Sequence, residues 1–148
     1  MRLRGYSDVD WASDRDERKS TIGYAFLLSG AAISWCNKKQ SCIALSTMES
    51  EYVACSAAAQ EAVWLKRFFQ NLRVTSLVDE AVKIYCDSMA TLAYANDPKY
   101  HGKSKHIQTH YNYIRLAITQ GEVILQHTST SRMLGVWDFV GFDMFLDT

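Results

Sequence analysis

The sequence lacks the features that mark disordered, fibrous or disulfide-rich chains. It has 148 residues with one proline and seven glycines, and its 16 basic residues balance 16 acidic ones. Hydrophobic residues make up 48% and charged residues 22%, proportions typical of one soluble globular domain. A zero net charge also argues against binding to nucleic acid by bulk charge alone, although local basic clusters are not excluded.

The sequence also has no long apolar run. Its longest uncharged stretch, 20–37, is interrupted by hydroxyl residues and glycines, whereas a membrane helix needs about 20 apolar residues. The N-terminal segment has no signal-peptide core. The four cysteines, Cys36, Cys42, Cys55 and Cys86, form no C-x-x-C pair and are typical of reduced core residues. These absences predict an intracellular protein, in the cytoplasm or nucleus, without membrane contact.

Hydrophobic periodicity predicts an α/β fold. The predicted strands are 2–10, 21–29, 31–37, 81–87 and 122–127, and the predicted helices are 46–72, 88–96 and 104–120. Strands come first as a hairpin run and then alternate with helices, so we expect a mixed five-stranded sheet flanked by helices. The S-x-x-E pattern from Ser46 to Glu49 is a capping box that begins the longest helix.

One face of that helix is unusual because a carboxylate stands at its head. At 100° per residue, Glu51 shares a stripe with Cys55, Ala58, Ala62, Leu65 and Phe69. The opposite face is predicted to hold Glu49, Ser56, Gln60 and Arg67. An unpaired buried charge is costly, so Glu51 needs a metal ion, a cationic partner or a place at the mouth of a cleft.

Two further acids stand at the ends of predicted strands, Asp8 after the first and Asp87 after the fourth. Carboxylates gathered from separate elements repel one another, and a divalent cation relieves the repulsion. Oxygen ligands favour Mg²⁺ or Mn²⁺, and a pair of such ions activates water for phosphodiester hydrolysis. The local alternatives are turn formation for Asp8 and helix N-capping for Asp87, a role that Ser88 could also fill.

Four segments, in order, resemble the ribonuclease H region of copia-type long-terminal-repeat retrotransposon Pol polyproteins. They are GYSDVDWASDRDERKSTIGYAFLLSGAAISWCNKKQ, ALSTMESEYVACSAAAQEAVWLKRF, IYCDSMATLAYANDP and SKHIQTHYNYIR. The resemblance runs from about Gly5 to Met133. It implies a ribonuclease H-like fold and a hydrolase, a metal-dependent endonuclease that cleaves the RNA strand of RNA–DNA hybrids. It also implies a reverse transcriptase domain ahead of this segment in the parent polyprotein.

The same resemblance assigns the site. The S-D-x-D-W motif places the first catalytic acid at Asp8, the S-T-x-x-x-E-Y motif places the second at Glu51, and Y-C-D places the third at Asp87. These three are expected to be catalytic and to bind two Mg²⁺ (or Mn²⁺) ions, with Asp8 bridging both. Asp10 is expected to be a neighbouring acid rather than a ligand.

The C-terminus departs from the family pattern. Family members continue into an A-D-x-L-T-K motif that supplies a fourth acid, whereas this chain reads SRMLGVWDFVGFDMFLDT, with Val136 or Trp137 at the expected position. Asp138 is a doubtful fourth ligand, available if the tail folds back. We therefore expect a ribonuclease H-like domain over 1–133, a divergent apolar and acidic tail over 134–148, and an altered or missing C-terminal helix.

Basic residues predict the nucleic-acid contacts. Lys38 and Lys39 follow the third predicted strand, and Lys103 and Lys105 lie near the start of the last helix. These four are candidates for phosphate contacts with an A-form-like hybrid, which is recognised by its backbone and 2′-hydroxyls. The alternative is ordinary solvated loop charge.

Two other sets of residues have structural interpretations. His101, His106 and His110 lack metal-ligand spacing with a third partner and are expected on a helix surface near the hybrid. The tryptophans expected in the core are Trp11, Trp35 and Trp64.

Three functional hypotheses follow: an active nuclease, a catalytically inactive remnant with sequence-independent nucleic-acid binding, and an interaction module whose aromatic tail docks on a partner. Because the chain begins almost at the first motif, we also expect a segment detached from its polymerase.

Overall fold

A computed structural model describes residues 2–10, 20–40, 47–97 and 105–133. Within these ranges the elements follow the predicted order, with one short 3₁₀ turn, Thr75–Leu77, added. The strands are β1 (Leu3–Asp10), β2 (Thr21–Leu28), β3 (Ala31–Lys39), β4 (Val82–Cys86) and β5 (Val123–His127). The helices are α1 (Thr47–Asn71), α2 (Met89–Asn96) and α3 (Lys105–Thr119).

The five strands form one mixed sheet, as the sequence predicts, and their order in it is β3-β2-β1-β4-β5. The β1–β2 and β2–β3 pairs are antiparallel, whereas β1–β4 and β4–β5 are parallel. Tyr6 lies opposite Tyr85 across the β1–β4 pair, and an acid follows two residues after each tyrosine, within β1 and directly after β4. The parallel register therefore brings Asp8 and Asp87 to the same end of the sheet.

Helix α1 covers one face of this sheet and forms the centre of the core. Phe26, Ile84 and Val123 are fully buried on the strands, and Ala58 and Ala62 are fully buried on the helix. Small side chains on α1 allow the helix backbone to approach the strands closely. The predicted apolar stripe of α1 is therefore the buried face.

A second side of α1 is also buried because α3 packs against it. Ser56, predicted on the face opposite the apolar stripe, is fully buried, and its hydroxyl hydrogen-bonds His110 Nδ1 at 2.9 Å. The face opposite the stripe is therefore covered at Ser56, and His110 is partly buried rather than freely exposed on the surface. The amphipathic pattern of one helix does not reveal a second helix packed beside it.

The expectation that the tryptophans lie in the core is also wrong for two of them. Trp35 is 49% exposed and Trp64 is 58% exposed, while Trp11 lies outside the described residues. Trp35 is in the edge strand β3, next to Ser34, whose hydroxyl contacts Glu61 of α1. By strand alternation, Trp35 points away from that helix. Trp64 stacks on Phe68 along the outer side of α1, with ring centroids 5.3 Å apart.

The described residues also bear on membrane spans and on the state of the cysteines. No helix in the described part of the chain is long and apolar enough to cross a membrane. Of the cysteines in that part, Cys55 and Cys86 are buried and Cys36 is half-buried, and all three are free thiols. The proposed tail, 134–148, lies outside the described residues.

Candidate metal centre

Three carboxylates meet at the carboxyl end of the parallel strands. Asp8 is in β1, Asp87 directly follows β4, and Glu51 is in the first turns of α1. Ligand atoms of all three lie within 4.8 Å of one another. The strand register and the position of the α1 N-terminus thus gather acids that are 43 and 36 residues apart in sequence.

Local hydrogen bonds show which residue caps α2 and how the Asp8 side chain is held. Ser88 is the N-cap of α2, and its hydroxyl accepts a hydrogen bond from the Thr91 backbone N–H at 3.2 Å. Capping therefore does not require Asp87. Asp8 Oδ1 accepts a hydrogen bond from the Val9 N–H at 2.8 Å, which restrains its side chain at the site.

Glu51 carries its carboxylate in a buried and negatively charged environment. It is only 6% exposed, and its Oε2 atom has no hydrogen-bond partner among the described residues. Burial, followed by the negative charges of Asp8 and Asp87, raises the pKa of Glu51 to about 9. A buried carboxylate oxygen without a partner is costly, and a divalent cation bound among the three acids would satisfy it. The donor set thus fits a hard divalent metal ion.

A layer of small buried polar groups lies next to the three acids. The Ser7 hydroxyl and the Cys55 thiol are hydrogen-bonded at 3.2 Å, and Cys86 donates to the Ser88 carbonyl oxygen at 3.9 Å. A hydrogen bond between the two thiols raises the pKa of Cys55, together with burial, and lowers that of Cys86. Ser7 precedes Asp8, Cys86 precedes Asp87, and Cys55 lies one turn after Glu51. This layer therefore joins the three backbone segments that present the carboxylates.

Comparison with known proteins identifies the family. No family model matches the chain. The Pol polyprotein of transposon TNT 1-94 from Nicotiana tabacum is 42% identical over 129 residues, 87% of this chain and 10% of that protein. The Pol polyprotein of transposon RE1 from Arabidopsis thaliana is 33% identical over 134 residues, 90% of this chain and 9% of that protein. The chain belongs to the copia-type retrotransposon Pol family. It spans about a tenth of the length of these relatives.

Solved structures define the fold of this Pol segment. LC11-RNase H1, isolated from compost, is similar with a TM-score of 0.67 and 15% identity, covering 95% of this chain and 93% of that one. The same enzyme in complex with an RNA/DNA hybrid gives a TM-score of 0.62, covering 88% of each chain. The Pol segment therefore has the ribonuclease H fold, as the sequence resemblance implies.

The structure places some of the predicted phosphate-binding residues of this Pol segment. Lys38 and Lys39 are exposed and lie inside β3 rather than after it, because the ladder continues to the Thr21–Lys39 pair. Asp8, Gly23 and Asn37 are aligned across three strands, so both lysines lie at the acidic end, about 10 Å from β1. Lys103, the side chain of Lys105, and Asp138 lie outside the described residues, as do His101 and the side chain of His106.

One residue at the site was not anticipated from the sequence. Thr130, three residues after β5, donates its hydroxyl hydrogen to Asp87 Oδ2 at 2.9 Å. Nothing in a single sequence indicates this pair, because the two residues are 43 positions apart. Only the parallel pairing of β4 and β5 brings them together.

Proposed function

We propose that this Pol segment is a metal-dependent endonuclease that cleaves the RNA strand of RNA–DNA hybrids. The single observation that carries the proposal is the convergence of Asp8, Glu51 and Asp87, whose ligand atoms lie within 4.8 Å of one another. The fold supports it, since a neighbour with the same fold was solved with an RNA/DNA hybrid. Membership of the Pol family supports action inside the cell alongside a reverse transcriptase segment.

The three acids are the proposed metal ligands and catalytic residues. Asp8, Glu51 and Asp87 would together hold Mg²⁺ (or Mn²⁺), proposed as two ions. When bound, such ions supply a water nucleophile and stabilise the departing oxygen of the phosphodiester. The raised pKa of Glu51 means that its carboxyl group must release a proton as the metal binds, so metal affinity rises with pH.

Substrate binding is assigned to the exposed lysines beside this centre. Lys38 and Lys39 lie at the acidic end of the sheet and are proposed to contact phosphates of the hybrid. Lys103 and Lys105 are proposed to do the same from the region where α3 begins. Contacts of this kind read the shape and backbone of the hybrid and not its sequence.

The decisive experiment compares the purified 148-residue chain with an Asp8→Asn variant on a labelled hybrid. With Mg²⁺ or Mn²⁺, the unmodified chain is expected to shorten the RNA strand and leave the DNA strand intact. The variant keeps the side-chain shape but loses a charge, so its cutting is expected to fall at least a hundredfold. Equal cutting by both proteins would defeat the enzymatic proposal.

A second candidate, a catalytically inactive remnant, is favoured by the C-terminal sequence. Where family members carry the acid of A-D-x-L-T-K, this chain has Val136 or Trp137 within an unrelated tail. Replacing 135–148 with an A-D-x-L-T-K ending distinguishes the two candidates. An inactive parent chain whose activity is restored by this replacement supports the remnant, whereas activity in the parent chain supports the nuclease.

A further inference from the structure

Thr130 begins a single helical turn over 130–133 that is fixed at both ends. Ahead of it, the Thr128 N–H donates to the Cys86 carbonyl oxygen at 2.9 Å, directly before Asp87. At its end, the Met133 N–H closes the turn by donating to the Ser129 carbonyl oxygen at 3.2 Å, and the Met133 side chain is fully buried. The turn is therefore held against the end of β4, where Asp87 is located.

The contact between Thr130 and Asp87 involves one of the two carboxylate oxygens. The Thr130 hydroxyl donates to Oδ2 at 2.9 Å, within the usual range for O–H···O hydrogen bonds. With one oxygen held, rotation of the carboxylate group about its Cβ–Cγ bond is restricted. A ligand whose orientation is already set loses less freedom when a metal ion binds, which is how outer hydrogen-bond partners increase metal affinity.

We propose that Thr130 is a positioning residue of the candidate metal centre, orienting Asp87 through its hydroxyl group. This inference rests on the proposed function, because it concerns the same three acids. Thr130 is exposed and Asp87 is half-buried, so water competes for the carboxylate at this exposed contact. The expected loss of metal affinity is therefore about tenfold, the lower end of the range for outer-shell partners.

Three variants of the full chain separate positioning from simple packing. Thr130→Val keeps the shape and removes the hydroxyl, whereas Thr130→Ser keeps the hydroxyl and removes a methyl group. Ser131→Ala is the matched control, because the Ser131 hydroxyl contacts Ser129 at 3.0 Å and not an acid. The thermal midpoint of each variant, measured without metal, reports whether the fold is intact.

The test measures the dissociation constant for Mn²⁺ by titration calorimetry in the absence of nucleic acid, and then the Mn²⁺ dependence of hybrid cleavage. Thr130→Val is expected to weaken Mn²⁺ binding about tenfold, with Thr130→Ser within twofold of the parent and Ser131→Ala unchanged. Equal Mn²⁺ affinity in Thr130→Val and the parent overturns the proposal. So does a Thr130→Ser variant as weak as Thr130→Val.

The two proposals fail in distinguishable ways. A parent chain that binds Mn²⁺ but does not cleave the hybrid defeats the nuclease function, while the affinity series still decides the role of Thr130. A parent chain that cleaves, with no difference in affinity among the variants, defeats the role of Thr130 alone. A parent chain that does not bind Mn²⁺ defeats both.

Discussion

Glu51 and Asp8 present carboxylate oxygens within 4.8 Å of each other, although Glu51 is almost fully buried. Two negative charges at this separation in a poorly hydrated site repel strongly. Either a proton or a cation must offset the repulsion. This relationship links the stability of the chain to metal binding, and two of the following predictions depend on it.

Replacing Glu51 with glutamine is expected to stabilise the metal-free protein. At pH 8 the Glu51→Gln variant keeps the side-chain shape, removes the buried ionisable group, and is expected to raise the free energy of unfolding by about 1–3 kcal/mol. Mg²⁺ is expected to stabilise the parent but not the variant, because only the parent keeps all three ligands. Denaturant unfolding in EDTA and in Mg²⁺ measures both effects. A variant less stable than the parent in EDTA would contradict this account.

The raised pKa of Glu51 predicts how metal-free stability changes with pH. In the unfolded chain this group loses its proton near pH 4.5, and in the folded chain near pH 9. Between these values the unfolded state binds fewer protons than the folded state, so the free energy of unfolding falls as pH rises. Denaturant unfolding in EDTA at pH 5, 7 and 9 tests the trend. The Glu51→Gln variant is the control, because it lacks the pH dependence that Glu51 contributes. Stability that rises across this window would show the sign to be wrong.

Gly5 is predicted to tolerate no side chain. A Cβ atom at this position would lie 2.6 Å from Phe26 Cε1, and the Phe26 ring is fully buried. Gly5→Ala is therefore expected to lower the free energy of unfolding by about 1–3 kcal/mol through overpacking. The double variant Gly5→Ala with Phe26→Leu is expected to lose less free energy of unfolding than the two single variants lose in sum. Strict additivity in denaturant unfolding would argue against the clash.

Lys38 and Lys39 are predicted to bind phosphates. Replacing both with alanine in an Asp8→Asn background, where cleavage is suppressed, is expected to weaken hybrid binding. The slope of the logarithm of the binding constant against the logarithm of the salt concentration is expected to become shallower by about 2, since each phosphate contact contributes about 0.9. Fluorescence anisotropy over a salt series measures the slope. Lys83→Ala, changed in β4 away from the acidic end, is the control, and an unchanged slope in the double variant would remove these lysines from the interface.

Much of the fold was predictable because its signals are local. The capping box and apolar stripe of α1 place that helix within a residue of its observed bounds, Thr47–Asn71. The alternating apolar residues of β4 predict a strand over 81–87, within one residue of its observed bounds, Val82–Cys86. The stripe also separates Glu51 from Glu49, since only Glu51 lies on the face that packs against the sheet.

Residues whose environment depends on distant partners were predicted less well. The apolar character of Trp35 and Trp64 suggested the core, but Trp35 faces away from α1 at the sheet edge and Trp64 lies on the outer side of its helix. Ser56 was predicted on the face opposite the apolar stripe, and α3 buries it there. In each case the local pattern indicates the face of the helix or strand on which the side chain lies. Whether another element packs on that face depends on residues elsewhere in the chain.

By itself, the sequence determined the order of strands and helices, the motif acids and the family of this chain, because these depend on periodicity, capping and short motifs. Only the tertiary structure decided that Thr130 contacts Asp87 and that Ser7 and Cys55 are hydrogen-bonded next to the acids. It also decided that Lys38 and Lys39 lie within β3. These depend on strand register and helix packing, which bring together residues tens of positions apart. Such pairs leave no mark on the local pattern of either partner.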